Sequence, residues 1–188
     1  MVFKPQAYTA RMTYEDFQKL CHERRSVRYF NRKPVTKEEV LQLLELARLS
    51  PSVENTQPWH FHVIMNEILR TKLMDASCYG NFVAGAGAFI VVTCDRMRSP
   101  STKTLWNPRE LEYSCIAAME HILLGAAAMG IGGSWISLHH GPVHALLKLS
   151  ASQSVIGGIM LGCFRRGEEK ASTEHDRRPL EEIYTMHD

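Results

Sequence analysis

The sequence predicts an α+β fold, and three observations carry that expectation. Helical and strand periodicities mix along the chain without the regular βαβ spacing of a doubly wound sheet. The run FIVVTC, Phe89 to Cys94, is continuously apolar, as in a strand buried on both faces. The stretch from Pro108 to Met129 is Ala-rich and apolar nearly all round, which suits a helix buried in a core or in a subunit interface. At 188 residues, with 45% hydrophobic and 22% charged residues, the chain fits one globular domain, 1–188.

The elements follow in order. Thr13 is the expected N-cap of a first helix carrying Phe17, Leu20 and Cys21 at helical spacing. Thr36 caps a second, with Glu39 placed for a capping box and Val40, Leu43, Leu44 and Ala47 forming an apolar stripe. Pro51 stops it. From Trp59 to Met65 the chain alternates as a strand, with Trp59, Phe61 and Val63 on one face. Glu67 to Ser77 reads as helix and Asn81 to Ala88 as a Gly/Ala loop. Asp95 to Pro108 is polar and irregular. After the long helix come a strand SWISL, a short helix GPVHALLKL and a strand SVIGGIMLGCF. A charged tail, Arg165 to Asp188, ends in a short helical turn.

Bulk properties exclude several function classes. A net charge of +2 without a block of like charges argues against nucleic acid or an anionic membrane surface as partner. The most apolar stretch, Ile122 to Ile136, contains four glycines and is shorter than the roughly 20 apolar residues of a membrane span. The N-terminus lacks the apolar core of a signal peptide, so a cytoplasmic location is expected. Five scattered cysteines without a CxxC pair form neither a disulfide framework nor a zinc site. His139, His140 and His144 have no carboxylate or cysteine at ligand spacing, and no metal is expected. GxSxG and Walker motifs are missing.

Four constellations could carry chemistry. RRSVRYF, Arg24 to Phe30, sets three arginines and a serine within five residues. Guanidinium groups bind phosphate bidentately, although a basic helix end is also favoured by the macrodipole alone. SPSVENTQPWHF offers Asn55 and Gln57 amides suited to the edge of a flat heterocycle, or else to supporting a turn. GIGGSWI, Gly130 to Ile136, permits close backbone approach, with Gly130 as a helix C-cap. Its order, helix before and strand after, is wrong for a dinucleotide fingerprint. Arg177 in DRRPLEE is a phosphate ligand or a plain surface charge.

Together these motifs, in this order over nearly the whole chain, resemble the nitroreductase family of FMN-dependent oxidoreductases. RRSxR with NxQPWxF carries the resemblance; the GIGG turn and the late arginine corroborate it. It implies a sandwich with a central, mostly antiparallel sheet flanked by helices, forming a homodimer with FMN at the subunit interface. By motif position, Arg24, Arg25 and Ser26 would bind the FMN phosphate and ribityl chain, Arg28 the pyrimidine side, and Arg177 the phosphate. Pro51, Ser52, Asn55 and Gln57 would contact FMN held mainly by the other subunit. The backbone from Gly133 through Trp135 to Ser137 would pass the isoalloxazine.

The resemblance further implies hydride transfer from NAD(P)H through FMN to a nitroaromatic, quinone or related small-molecule acceptor. No protein acid, base or nucleophile is assigned. Dehalogenation, dehydrogenation, flavin breakdown and a non-catalytic flavin-binding role are the alternatives. Two departures stand out: His175 replaces a lysine found in some members, and the segment between Asn81 and Pro108 is short. That segment commonly shapes the substrate pocket, so an open or unusually lined site is expected.

Overall fold

The computed structural model describes residues 12–31, 33–77, 85–98, 107, 109–164 and 177–187. Helix α1 (Tyr14–Glu23) starts at Thr13, whose hydroxyl accepts from the Asp16 N–H at 3.1 Å while the Asp16 carboxylate accepts from the Thr13 N–H at 3.2 Å. Arg24 caps its C-terminus in an extended conformation and sends the chain on as a ribbon. Helix α2 (Lys37–Arg48) has the expected capping box, with Glu39 and Thr36 bonded reciprocally at 2.7 and 3.1 Å. It buries Val40, Leu43 and Ala47, with Leu44 packed beside them.

Among the described residues four strands form one sheet: β1 (Trp59–Ile64), β2 (Ala88–Asp95), β3 (Gly132–Ile136) and β4 (Gln153–Gly162), in the order β1-β2-β4-β3. Every strand pairing is antiparallel. Helix α3 (Glu67–Asp75) follows β1, α4 (Glu110–Ala128) precedes β3, and α5 (His140–Leu147) joins β3 to β4. One sheet face, with Ile90, Val92, Cys94, Ile159 and Leu161, packs on α2 and α4. The other, with Phe89, Val91, Val155 and Met160, is covered by Leu73 of α3 and Val143 of α5. The apolar side chains of β2 are therefore buried on both faces, which is what its unbroken apolar run requires. Each fully buried Val, Leu, Ile or Phe contributes about 1.5–3 kcal/mol.

The alternation of β1 holds in part. Trp59 and Phe61 pack on the α4 side, but Val63 stays 38% exposed on an edge strand. The strand expected from Ser134 begins two residues earlier, since Gly132 and Gly133 already pair with Gly162 and Leu161. Gly130 terminates α4 at φ +71°, its N–H bonding Ala127 and that of Ile131 bonding Ala126, the Schellman arrangement. In this chain alone α1 buries nothing: Tyr14 is 72% and Phe17 45% exposed. Among the described cysteines, Cys94 and Cys115 are buried thiols, and a hydrogen bond between them holds Cys94 low while it and burial push Cys115 far up.

Candidate functional site

The ribbon after α1 runs along the edge of β3. Ser26 forms a parallel bridge to Gly133, and the Val27 N–H donates to the Gly133 carbonyl at 3.0 Å. Room for this is made by missing side chains. A Cβ on Gly132 would lie 3.0 Å from Val27 Cβ and 2.8 Å from the Phe164 ring, and one on Gly133 would lie 3.1 Å from Leu123. The close approach foreseen for these glycines is thus first an approach of one protein segment to another.

Between the ribbon and the C-terminal end of α4 lies a cavity of about 430 Å³. Arg24 and Arg25 line it with His22 and Glu23 from the last turn of α1; Leu123, Ala127 and Gly130 to Gly133 form the apolar and backbone wall. Its size is that of a small-molecule site, and paired guanidiniums beside an apolar wall suit a ligand that joins an anion to a flat ring. Trp135 is two residues from Gly133, on the same face of β3. It stands 37% exposed over Gly157 of the neighbouring strand. Ser137 is exposed just past the end of β3, and Arg28 is exposed further along the ribbon. Arg177 is exposed as well and does not line the cavity.

The second cluster is the loop after α2. Val53–Asn55 is a short 3₁₀ turn, and Glu54, Asn55 and Gln57 all have positive φ, at 44°, 56° and 47°. Asn tolerates the left-handed region; Glu and Gln do so at a cost, so the surroundings must hold this shape. They do. The Gln57 N–H donates to Ser52 Oγ at 3.1 Å, and the Gln57 amide donates to the Asn55 carbonyl and side chain at 3.3 Å each. Thr56 closes the turn onto the Val53 carbonyl. The Val53 N–H donates to Ser114 Oγ at 3.1 Å, and that hydroxyl donates to the Glu110 carbonyl at 2.7 Å. Val53 packs on the chain's own core while Glu54 faces solvent. Pro51, Asn55 and Gln57 are exposed and Ser52 is half-buried.

Arg24, Arg25 and Gly133 thus meet at one cavity, with Ser26 bridged to Gly133, whereas Pro51, Ser52, Asn55 and Gln57 gather elsewhere. Helix α4 measures the gap: Ser114 holds the loop near its start, and Leu123 and Ala127 line the cavity near its end, about 14–20 Å along the axis. Sequence reasoning missed His22 and Glu23, whose only signal was adjacency to Arg24, and Ser114, which had none. Residues 81–84, 99–106 and 108 of the short segment, and His175, lie outside the described residues. Among the described residues no group of three or more His, Cys, Asp and Glu is placed to hold a metal ion. Nor is any helix there long and apolar enough to cross a membrane.

An antiparallel four-stranded sheet between helices, with its cavity at the junction of an arginine ribbon and β3, defines a nitroreductase-like fold. A crystal structure from Desulfovibrio desulfuricans, of a provisionally named nitroreductase in complex with FMN, superposes with a TM-score of 0.77 at 27% identity. The match covers 94% of this chain and 99% of that one. The Nitroreductase family model matches residues 22–78, which include the arginine ribbon and the loop after α2 but not the β3 wall of the cavity. A provisionally named NADH dehydrogenase/NAD(P)H nitroreductase of Archaeoglobus fulgidus is 34% identical over 125 residues, 66% of this chain and 69% of the relative. The 5,6-dimethylbenzimidazole synthase of Rhodospirillum rubrum is 28% identical over 74% of this chain and 77% of its own. The chain belongs to the nitroreductase family.

Proposed function

We propose that this chain is a homodimeric, FMN-dependent NAD(P)H oxidoreductase acting on nitroaromatics, quinones or related acceptors. The observation that carries this reading is the cavity where Arg24 and Arg25 face the glycine-rich start of β3. FMN, when bound, supplies the hydride chemistry between donor and acceptor.

The protein's part is binding and orientation. Arg24, Arg25 and Ser26 hold the phosphate and ribityl chain, each charge-assisted bond worth roughly 1.5–3 kcal/mol. By motif position, Arg28 would set positive charge near the pyrimidine edge, and Arg177, although outside the cavity of its own chain, would serve the phosphate. The backbone of Gly133 to Ser137 and the half-exposed face of Trp135 border the ring system. Pro51, Ser52, Asn55 and Gln57 complete the site of the partner subunit. Their separation along α4 supports this division of labour, as do the unburied Tyr14 and Phe17 of α1 and Tyr113 and Ile116 of α4.

The test is a visible spectrum of the purified protein. Flavin bands that bleach with NADH or NADPH and return with a nitroaromatic or quinone are expected. No flavin bands, and no bleaching of added FMN, would sink the proposal. The likeness to a 5,6-dimethylbenzimidazole synthase supports one second reading, a flavoenzyme of the same fold with another reaction, such as flavin breakdown. Loss of the flavin during turnover, followed by chromatography of the products, separates the two.

A further inference from the structure

Helix α4 buries one side in the core and leaves the other open. On the open side Tyr113 and Glu120 are exposed and Ala117, Leu124 and Ala127 half-buried, at steps of four, three, four and three residues. That is the heptad spacing of a seam that packs against a second helix. The seam is apolar except at its middle, where Glu120 lies next to half-buried His121. His121 Nδ1 bonds the Ala117 carbonyl at 3.0 Å, and neither its Nε2 nor the Glu120 carboxylate has a partner among the described residues.

Such a seam is complementary to a copy of itself. Across a two-fold axis, a residue that meets a second residue is met by its counterpart in return. For two antiparallel α4 helices, only an axis between Glu120 and His121 sets each Glu120 against the partner's His121. An axis through Glu120 would oppose two carboxylates, and one through His121 two imidazoles. Registers further away would bury both groups against apolar side chains, a desolvation cost with nothing to offset it. The paired register also sets Tyr113 opposite the partner's Ala128 and Leu124 opposite the partner's Ala117, large against small both times.

That register bears on the cavity. It places Ser114, which holds the loop after α2, opposite the partner's Ala127, which lines the cavity. Helices packed about 8–10 Å apart then carry the loop of each chain to the arginine cavity of the other. Charge pairing, without reference to any ligand, joins the two clusters that one chain keeps apart.

We propose that α4 packs antiparallel on α4 of a second copy, with each Glu120 paired to the partner's His121, and that this contact completes the site. The proposal rests on the homodimeric reading above and specifies its register. In untagged, full-length protein, Ala117→Cys/Leu124→Cys should form covalent dimers under mild oxidation, since facing positions come within disulfide reach. Either substitution alone should not, because each position lies about 10 Å along the axis from its own counterpart. The wild type controls for native thiols. Independently, Glu120→Lys and His121→Glu should each raise the dimer dissociation constant at least about tenfold in sedimentation, and the two combined should restore it. No cross-link specific to the paired cysteines, or charge reversals without effect or without mutual rescue, overturns the register while the flavin reading stands. A wild type that sediments as a monomer overturns the proposal and the homodimer together, and its flavin bands decide the cofactor separately.

Discussion

Ser114 shows how much one side chain can decide. Its hydroxyl is nearly buried, accepts the Val53 N–H and donates within its own helix, so it fixes a loop in which three non-glycine residues hold positive φ. Replacing Ser114 with Ala leaves the Val53 N–H without its acceptor in a part-buried place, at a cost of about 1–3 kcal/mol. A lower melting temperature is expected, together with weaker flavin retention. Ser114→Thr should recover both, since it restores the acceptor. A Ser114→Ala protein with wild-type stability and flavin content would show that the loop keeps its shape without this bond.

Helices α1 and α2 carry the same local signal and meet different fates. Each begins with a threonine whose capping box is complete, yet α2 buries three residues and α1 none. The cap of α2 therefore acts on an element already welded to α4, where Gly125 has no side chain and Leu43 and Leu46 move into its place. Thr36→Ala should cost about 1 kcal/mol and lower the melting temperature by roughly 2–4 °C in a thermal scan. Thr13→Ala should change the melting temperature less unless α1 is held by a second subunit. Equal effects at the two caps would therefore favour a buried α1 in solution.

Across the molecule, α4 runs from the loop that follows α2 to the cavity beside β3, and so keeps the two halves of the proposed flavin site apart within one chain. A cross-subunit site has a distinctive genetic signature. Arg24→Ala and Gln57→Ala chains should each lose flavin when made alone. Coexpressed, they form hybrid dimers in which one site carries both substitutions and the other carries none. Recovery of about a quarter of the wild-type flavin sites is expected from random pairing. If mixing recovers none while each parent stays folded, both clusters act within one subunit or not at all.

Much of the fold was legible because its signals are local. The capping boxes, the apolar run of β2 and the Gly130 stop of α4 each depend on a few neighbouring residues. The site was legible as residue types: Arg24, Arg25 and Gly133 do converge. What escaped were contacts between distant segments. Ser114 sits 61 residues from Val53, and nothing in either stretch announces the bond. Trp59 and Phe61 were separable from His60 and His62 by alternation, but the Thr93 hydroxyl that lies 3.4 Å from the His62 ring comes from another strand.

The sequence alone thus determined which segments become helix or strand and which residues could meet an anion, because periodicity, capping and guanidinium chemistry are short-range. Only the tertiary structure decided that the two polar motifs lie at opposite ends of α4, and that β1 ends up at an edge with His60 open to solvent and His62 half-buried. Those outcomes depend on strand order and helix crossing, which arise from the packing of distant apolar faces and leave no mark in any single stretch of chain.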